Sequence, residues 1–295
     1  MKKILFATTA LIATASVAAA EVKFGGYGRF GVFYDDGNTA QETRIESRFR
    51  LNIDGVVESD AGVTFSARVR MQADDNSDGT AGTAGLNGAR FSAEAGGLRV
   101  DVGNIAGAID NLPNYYGNEP GLTAFVGQYS GIDFGFDGYS STGAGQNGVY
   151  ARYETGPFAV AASYSDDTTD DEEWAIHFAY TGDTYEVAIG YADSDTDDTL
   201  LVLTGSVDIG PANITAIIAD EEVGGVDNMA YGLSASFEVG AATDIIASVG
   251  LGDDNDYEGY GIGFVHDLGG GASIRGGVGS DDDDTEADLG VRFNF

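Results

Sequence analysis

The chain has 295 residues and a strongly acidic balance, with 14 lysines and arginines against 48 aspartates and glutamates and a formal net charge of −34. This charge excludes nucleic acid as the partner, because binding to a phosphate backbone requires a basic surface. The absence of cysteine excludes a disulfide framework and any metal site built on thiolates.

Residues 1–20 have the three parts of a secretory signal peptide. Lys2 and Lys3 form a basic end, an apolar stretch follows, and three alanines precede the first acidic residue, Glu21. A membrane anchor is the alternative, but the apolar run is too short and ends in small residues. We therefore predict cleavage after Ala20 and export of a mature chain with 12 basic and 48 acidic residues.

The composition of the mature chain favours sheet over helix. There are 45 glycines and only 4 prolines, and the 15 tyrosines and 16 phenylalanines stand against the single Trp174. Aromatic residues are favoured in strands and form the interfacial belts of membrane barrels. After Glu21 no apolar segment reaches the length of a spanning helix, so an α-helical membrane protein is excluded.

Apolar and polar residues alternate along most of residues 21–295, which is the period of a β-strand. In residues 61–73, Val63, Phe65 and Val69 share one face, and Arg68 and Arg70 share the other. Residues 44–54 divide in the same way into an apolar and a charged face. A soluble sandwich also alternates, so the connections between the strands must decide between the two folds.

The connections alternate between long, mostly acidic segments and short, mostly glycine-containing ones. An up-and-down membrane barrel places its long loops at one end and its short turns at the other, so we predict an all-β, transmembrane antiparallel barrel of roughly 16 strands. Residues 21–295 would form this single domain. The long connections are 35–42, 73–86, 104–146, 166–173, 193–198, 220–227, 252–256 and 280–285, and the short ones are 56–61, 95–97, 155–157, 182–183, 210–211, 238–242 and 269–271.

A membrane barrel must close, because an unpaired backbone group in lipid costs several kcal/mol. Residues 286–295 are therefore predicted to pair with residues 21–34. In this last segment Leu289 and Phe293 would face outward, and Asp288 and Arg292 would face inward. The terminal Phe295 resembles the end signature of outer-membrane barrels, which implies recognition by the barrel-assembly machinery.

Nine of the 12 basic residues of the mature chain precede residue 100. Alternation places seven of them on the charged face of adjacent early strands, which is the lumen of a closed barrel. A dry core would leave these charges desolvated without partners, so the lumen must hold water. The seven residues of this predicted basic wall are Arg29, Arg48, Arg50, Arg68, Arg70, Arg90 and Arg99.

The connection 104–146 is far longer than ordinary loops, which indicates a functional role. We predict that it folds into the barrel and constricts the pore, where its carboxylates would face the basic wall and remain ionised. The alternative is a cap outside the barrel. The candidate carboxylates are Asp110 and Glu119, followed by Asp133 and Asp137, which lie in an alternating stretch that could instead be a returning strand.

Several stretches resemble the general porins of photosynthetic α-proteobacteria, the Rhodobacter-type family: GYGRFGVFYDD, SRFRLNI, GVTFSARVRMQADD, GLRVDVGN and the ending ADLGVRFNF. The resemblance implies a trimeric barrel in the Gram-negative outer membrane with its third loop folded inward. It also implies arginines that face loop acids, calcium bound among the acidic loops, and passive diffusion of small hydrophilic solutes and ions. A plugged structural or adhesive barrel is the alternative function.

Asp74, Asn76 and Asp78 match the opening of a calcium-binding loop, but Gly85 occupies the position of the bidentate glutamate. An EF-hand is therefore rejected, and a weak Ca²⁺ site remains as a hypothesis. The acidic runs 166–173, 193–198 and 281–284 either bind divalent cations that bridge to lipopolysaccharide or form a solvated rim.

No catalytic set emerges from the sequence. His177 and His266 do not form a metal-binding pair, and neither a nucleophile elbow nor a phosphate-binding loop is present. We therefore predict that the chain is not an enzyme. A soluble, secreted calcium-binding β-protein is a further alternative, which the alternation of loops and turns disfavours.

Overall fold

The computed structural model describes residues 20–135, 138–166 and 172–295. The predicted signal peptide lies outside these residues except for Ala20, and so does Asp137. The described part contains no helix long and apolar enough to cross a membrane. Its strands are β1 (Glu21–Asp35), β2 (Thr43–Glu58), β3 (Thr64–Asp74), β4 (Gly85–Leu86), β5 (Arg90–Ala95), β6 (Leu98–Gly103), β7 (Asn147–Thr155), β8 (Phe158–Asp166), β9 (Glu173–Thr181), β10 (Tyr185–Ser194), β11 (Thr199–Ile209), β12 (Ala212–Val223), β13 (Val226–Gly240), β14 (Thr243–Gly252), β15 (Glu258–Gly269), β16 (Ala272–Asp281) and β17 (Asp284–Asn294).

The strands form one closed antiparallel barrel. Each strand pairs with its neighbours in sequence, except that β5 pairs with β3 instead of β4, and β1 pairs with both β2 and β17, which closes the sheet as predicted. The short β4 and the following β5 both pair with β3, so they act as one interrupted strand of a 16-stranded barrel. The predicted fold class is confirmed.

Two of the predicted acidic loops are tight turns instead. Gly224 and Gly225 join β12 to β13 with φ values of 60° and 78°, and Asp282 and Asp283 join β16 to β17 with φ values of 48° and 74°. Positive φ at both central residues is the geometry of two-residue hairpins, which glycine and aspartate tolerate. The strands therefore extend further toward this end of the barrel than composition alone indicates.

The outer surface is apolar and the inner surface is polar. Outward side chains such as Phe65, Leu233 and Leu289 are about half exposed, whereas inward Asp101 and Asp288 are buried. A continuous apolar surface of this kind matches hydrocarbon and not water. The charged side of the early strands therefore faces the enclosed lumen, as the alternation predicts.

The third long connection, residues 104–146, enters the barrel and forms its apolar core. Ile105, Ile109 and Leu112 are buried against an inner wall of small residues. A side chain at Gly190 would collide with Ile109, so glycine at this position gives the loop room to approach the wall. The alanines that complete this wall are Ala161, Ala175, Ala179, Ala188, Ala192, Ala219 and Ala230.

Candidate functional site

The barrel brings the seven arginines of the basic wall together on neighbouring strands. They lie on β1 (Arg29), β2 (Arg48 and Arg50), β3 (Arg68 and Arg70), β5 (Arg90) and β6 (Arg99). Two further arginines lie on the strands that close the barrel, Arg275 on β16 and Arg292 on β17. Arg292 was predicted to face inward but was not counted in the basic wall, and it lies directly opposite Arg29.

Five of the seven arginines are paired with carboxylates of the same wall. Arg29 Nε lies 2.6 Å from Glu46 Oε1, and both side chains are buried. The two groups are not aligned for a hydrogen bond, so the contact is purely electrostatic. Arg29 Nε and Glu46 Oε1 are therefore both buried without a hydrogen-bond partner among the described residues. The other ion pairs are Arg48 with Asp74, Arg68 with Asp54 at 2.6 Å, Arg99 with Asp101 at 2.9 Å and Arg90 with Asp101 at 3.9 Å.

Arg50 and Arg70 belong to the basic wall but lack a carboxylate. In the part of the chain that the structure describes, neither has a carboxylate oxygen within 4.0 Å, and the same holds for Arg275 and Arg292. Arg50 Nε donates to Gln72 Oε1 at 2.5 Å, and Arg70 Nε donates to Asn52 Oδ1 at 3.0 Å. These neutral acceptors orient the guanidinium groups without cancelling their charge.

The loop carboxylates Asp110 and Glu119 bond to tyrosines of the loop itself. Tyr116 donates its hydroxyl to Asp110, and Tyr129 Oη donates to Glu119 Oε1 at 3.1 Å. Burial raises the pKa of both carboxyls. Among the described residues neither acid forms an ion pair with an arginine, so their ionisation by arginines across the pore stays a prediction.

The other two predicted loop acids are placed differently. Asp133 is exposed, its carboxylate accepts from Asn255 Nδ2 at 3.0 Å, and residues 132–135 form no strand. The alternative of a returning strand is therefore wrong for this stretch, and β7 begins only at Asn147. Asp137 lies outside the described residues.

Two wall carboxylates hold the loop in place: Asp288, which was predicted only to face inward, and Glu221, for which the sequence predicted no role. Asp288 on β17 accepts from the backbone N–H groups of Leu122 and Thr123, each at 2.8 Å, and from Thr123 Oγ1 at 2.8 Å. Glu221 on β12 accepts from the backbone N–H groups of Asp133 and Phe134 at 2.8 and 2.9 Å. Each carboxylate compensates buried backbone donors that an inward loop cannot pair in a sheet.

His177 also supports the loop. Its Nδ1 lies 2.6 Å from the carbonyl oxygen of Ala108, and the imidazole is buried under the loop. Ser163 Oγ accepts from the N–H of Ala108 at 2.8 Å. Both groups of Ala108 are therefore bonded to the barrel wall, which gives His177 a structural role.

The candidate calcium residues do not point to one centre. Asp74 bonds to Arg48 and to Gln72 Nε2, at 2.7 Å from the latter, whereas Asp78 accepts from Thr80 Oγ1 at 2.6 Å. Among the described residues, no group of three histidine or acidic side chains is arranged to hold a metal. Calcium binding at this loop stays a prediction.

A cavity of about 250 Å³ lies between the basic wall and residues 122–125, which form the loop tip. Arg29 and Arg48 line it from the wall, and Thr123 and Phe125 line it from the loop. A charged wall and the folded loop therefore face each other across this cavity.

The comparisons with known proteins agree with this architecture. A family model described as Gram-negative porin matches residues 7–286. The chain is 33% identical to a porin of Fuscovulum blasticum and 32% identical to a porin of Rhodobacter capsulatus, and each alignment covers 93% of this chain and 100% of the relative. Two solved mutants of a Rhodopseudomonas blastica porin, 27% and 28% identical, superpose with a TM-score of 0.83 over 93% of this chain and 100% of theirs. The predicted Rhodobacter-type resemblance is confirmed: the chain belongs to the Gram-negative porin family and forms an outer-membrane channel for passive diffusion.

Proposed function

We propose that the basic wall and the inward loop together form the narrow part of the channel, which selects small hydrophilic solutes by size and charge. The observation that carries this proposal is the excess of positive charge on one side of the lumen. Arg50 and Arg70 have neutral partners, while the loop acids Asp110 and Glu119 are bonded to tyrosines.

The unequal charge would act on solutes through the electrostatic potential. Low-dielectric walls focus the field of fixed charges into an aqueous gap, and rings or walls of charged side chains are how pores select ions. The arginines would favour anions at this level. The acidic loops at one end of the barrel would attract cations to the channel entrance. A solute would therefore pass the acidic region and the basic wall one after the other.

Neutralising the unpaired arginines tests the proposal. The variant Arg50→Gln/Arg70→Gln is expected to shift the channel toward cation preference, because the substitutions remove two uncompensated positive charges from the lumen. The measurement is the reversal potential of single channels across a KCl gradient in planar bilayers.

Arg152→Gln is the matched control, since Arg152 is paired with Glu154 on the same strand. Reversal potentials that are the same in the double variant and the wild type would contradict the lumen role of the two arginines. A folded wild-type protein that opens no channel would contradict the proposed function as a whole.

The loop acids are expected to make selectivity pH-dependent. Because burial raises the pKa of Asp110 and Glu119, both gain a proton at a higher pH than exposed carboxyls do. Lowering the pH from about 7 to about 4 should therefore neutralise the loop first and increase anion preference. We expect Asp110→Asn/Glu119→Gln to remove the early part of this change in a reversal-potential titration.

Asp133→Asn serves as the control for this titration, because Asp133 is an exposed acid of the same loop. It should leave the early part of the curve unchanged. An Asp110→Asn/Glu119→Gln curve that overlays the wild-type curve would show that these acids do not face the conducting path.

We further propose that the channel is a homotrimer joined through the outer face of β1–β3 and β5. An apolar groove of about 370 Å³ lies there, lined in part by Val22, Val57, Phe65 and Phe91. Its lining is mostly apolar, with Glu21 as its one charged residue, which suits contact with a second copy. The acidic loops would meet lipopolysaccharide through bridging calcium ions, and the protein would have no catalytic role.

The terminal aromatic residue is proposed as the signal that the barrel-assembly machinery reads. The Phe295 ring is 50% exposed on the outer surface, and its centroid lies 5.8 Å from that of Phe49. The backbone of Phe295 is paired with Gly26, so the ring is presented from an ordered strand end. Residues 1–20 would direct export before this step.

A further inference from the structure

Closure of the barrel places three arginines side by side. Arg292 on β17 and Arg48 on β2 are both directly opposite Arg29 on β1. Like charges that are directly opposite in an antiparallel pair destabilise the sheet. Arg29 and Arg48 have carboxylate partners, but Arg292 has none among the described residues.

Several arginines contact Tyr27 on β1. The Cζ atom of Arg292 lies 4.1 Å from the Tyr27 ring centroid, and that of Arg50 lies 5.2 Å from it. Arg48 Nη1 donates to the Tyr27 hydroxyl at 3.5 Å. Cation–π contacts hold guanidinium groups by the ring face and leave their N–H edges free to donate. Arg275 on β16 is opposite Gly290, two residues from Arg292, and so lies diagonally across from Arg292. We name Tyr27, Arg50, Arg275 and Arg292 the arginine–tyrosine cluster.

The cluster has more donors than acceptors. Arg275 Nε donates to Ser273 Oγ at 3.1 Å, and Arg50 donates to Gln72, so both bonds go to neutral oxygens. The Nε atom of Arg292 is buried and has no hydrogen-bond partner in the described structure. Buried donors are normally hydrogen-bonded, but no described residue provides an acceptor for Arg292 Nε.

We propose that the arginine–tyrosine cluster is a binding subsite for tetrahedral oxyanions, with inorganic phosphate as the expected ligand. Guanidinium groups match phosphate oxygens in bidentate geometry, and such charge-assisted bonds are the strong ones. Phosphate would supply the missing negative charge and would accept from the guanidinium groups of Arg50, Arg275 and Arg292, which are only partly buried. A divalent cation would be repelled, and a neutral sugar would leave the charges uncompensated. The subsite rests on the proposed function, because it requires that solutes pass this wall.

Binding here must be weak enough to release the ion. Conduction requires sites that favour entry and still permit exit. Arg29 and Arg48, which flank the cluster, are already neutralised by Glu46 and Asp74. An oxyanion would therefore meet the three unpaired guanidinium groups of Arg50, Arg275 and Arg292 with carboxylates nearby, which limits its residence.

The test is inhibition of chloride current by inorganic phosphate in planar bilayers at constant pH and ionic strength. In the wild-type channel, phosphate is expected to lower the chloride conductance along a saturating curve, and sulfate should do the same. Arg275→Gln/Arg292→Gln should need about tenfold more phosphate for half of the effect, since it loses two guanidinium partners. Arg152→Gln, which removes a paired lumen arginine elsewhere, should follow the wild-type curve.

Arg50→Gln alone provides a second variant if the double variant does not insert, and it should weaken phosphate inhibition in the same direction. Equal inhibition of the variants and the wild type would overturn the subsite. A wild-type conductance that shows no saturating response to phosphate would overturn it as well, while leaving the diffusion channel in place. Absence of any channel would instead reject the proposed function.

Discussion

Gly232→Val is expected to lift the middle of the inward loop from the barrel wall and to raise the single-channel conductance. A Cβ atom at Gly232 would lie 1.8 Å from the carbonyl oxygen of Gln128, which is backbone and cannot rotate away. Forced overpacking costs about 1–3 kcal/mol, and a free energy of this size shifts a two-state equilibrium by about 5- to 150-fold. The fraction of channels with the loop displaced from the barrel wall should therefore rise by about this factor.

The measurement combines single-channel conductance with the swelling of liposomes by sugars of increasing size. The size limit should rise together with the conductance, since both depend on the bulk of the loop in the lumen. Gly205→Val is the control, because a Cβ at Gly205 has its nearest neighbours at 3.7 Å, which is ordinary contact. If Gly232→Val inserts and conducts like the wild type, the loop does not set the constriction.

The strands and their faces could be predicted because lipid and water impose a period of two on the sequence. Along residues 44–54 of β2 and throughout β3 every second residue is charged or polar, so the faces of Arg68 and Phe65 follow from position alone. The break between β4 and β5 carries no such signal. The turns at Gly224 and Asp282 were read as loops, because acidic composition does not distinguish a loop from the end of a strand.

For the site, the sequence identified the arginines of the basic wall but not the partners of the charged side chains. Alternation identifies the arginines, but their partners depend on register, as when the turn after β2 sets Asp54 opposite Arg68. The bonds of Asp110 and Glu119 depend on how the loop folds on itself, and no periodicity encodes that fold. Asp288 was predicted only to face inward, since its bonds to Leu122 join residues 166 positions apart.

Asp288→Ala is expected to release the loop tip. The substitution leaves the N–H groups of Leu122 and Thr123 and the hydroxyl of Thr123 without their acceptor. A buried donor left unpaired costs about 1–3 kcal/mol, so the tip should open to water and fluctuate. Hydrogen exchange at the two amides should accelerate by about tenfold or more, and the open-channel current should become noisier.

Asp267→Ala is the matched control for Asp288→Ala. It also removes one carboxylate, but Asp267 is exposed near the turn between β15 and β16, and within the described part of the chain its carboxylate accepts only from Gly269 of that turn. Amide exchange at Leu122 and Thr123 should stay at the wild-type rate in this control. Protection of both amides in folded Asp288→Ala would mean that apolar packing alone holds the tip.

The tip is held from two strands, and the two contacts should differ in strength. Asp288 on β17 accepts from its N–H groups at 2.8 Å, whereas Arg29 Nη1 on β1 donates to the carbonyl oxygens of Leu122 and Thr123 at 3.4 and 3.5 Å. Hydrogen bonds weaken with length, and carbonyl oxygens beside an aqueous gap can bond to water instead. Arg29→Gln should therefore accelerate exchange at the tip less than Asp288→Ala does. The reverse order would make the arginine the main anchor, and the basic wall would then position the loop as well as select the solute.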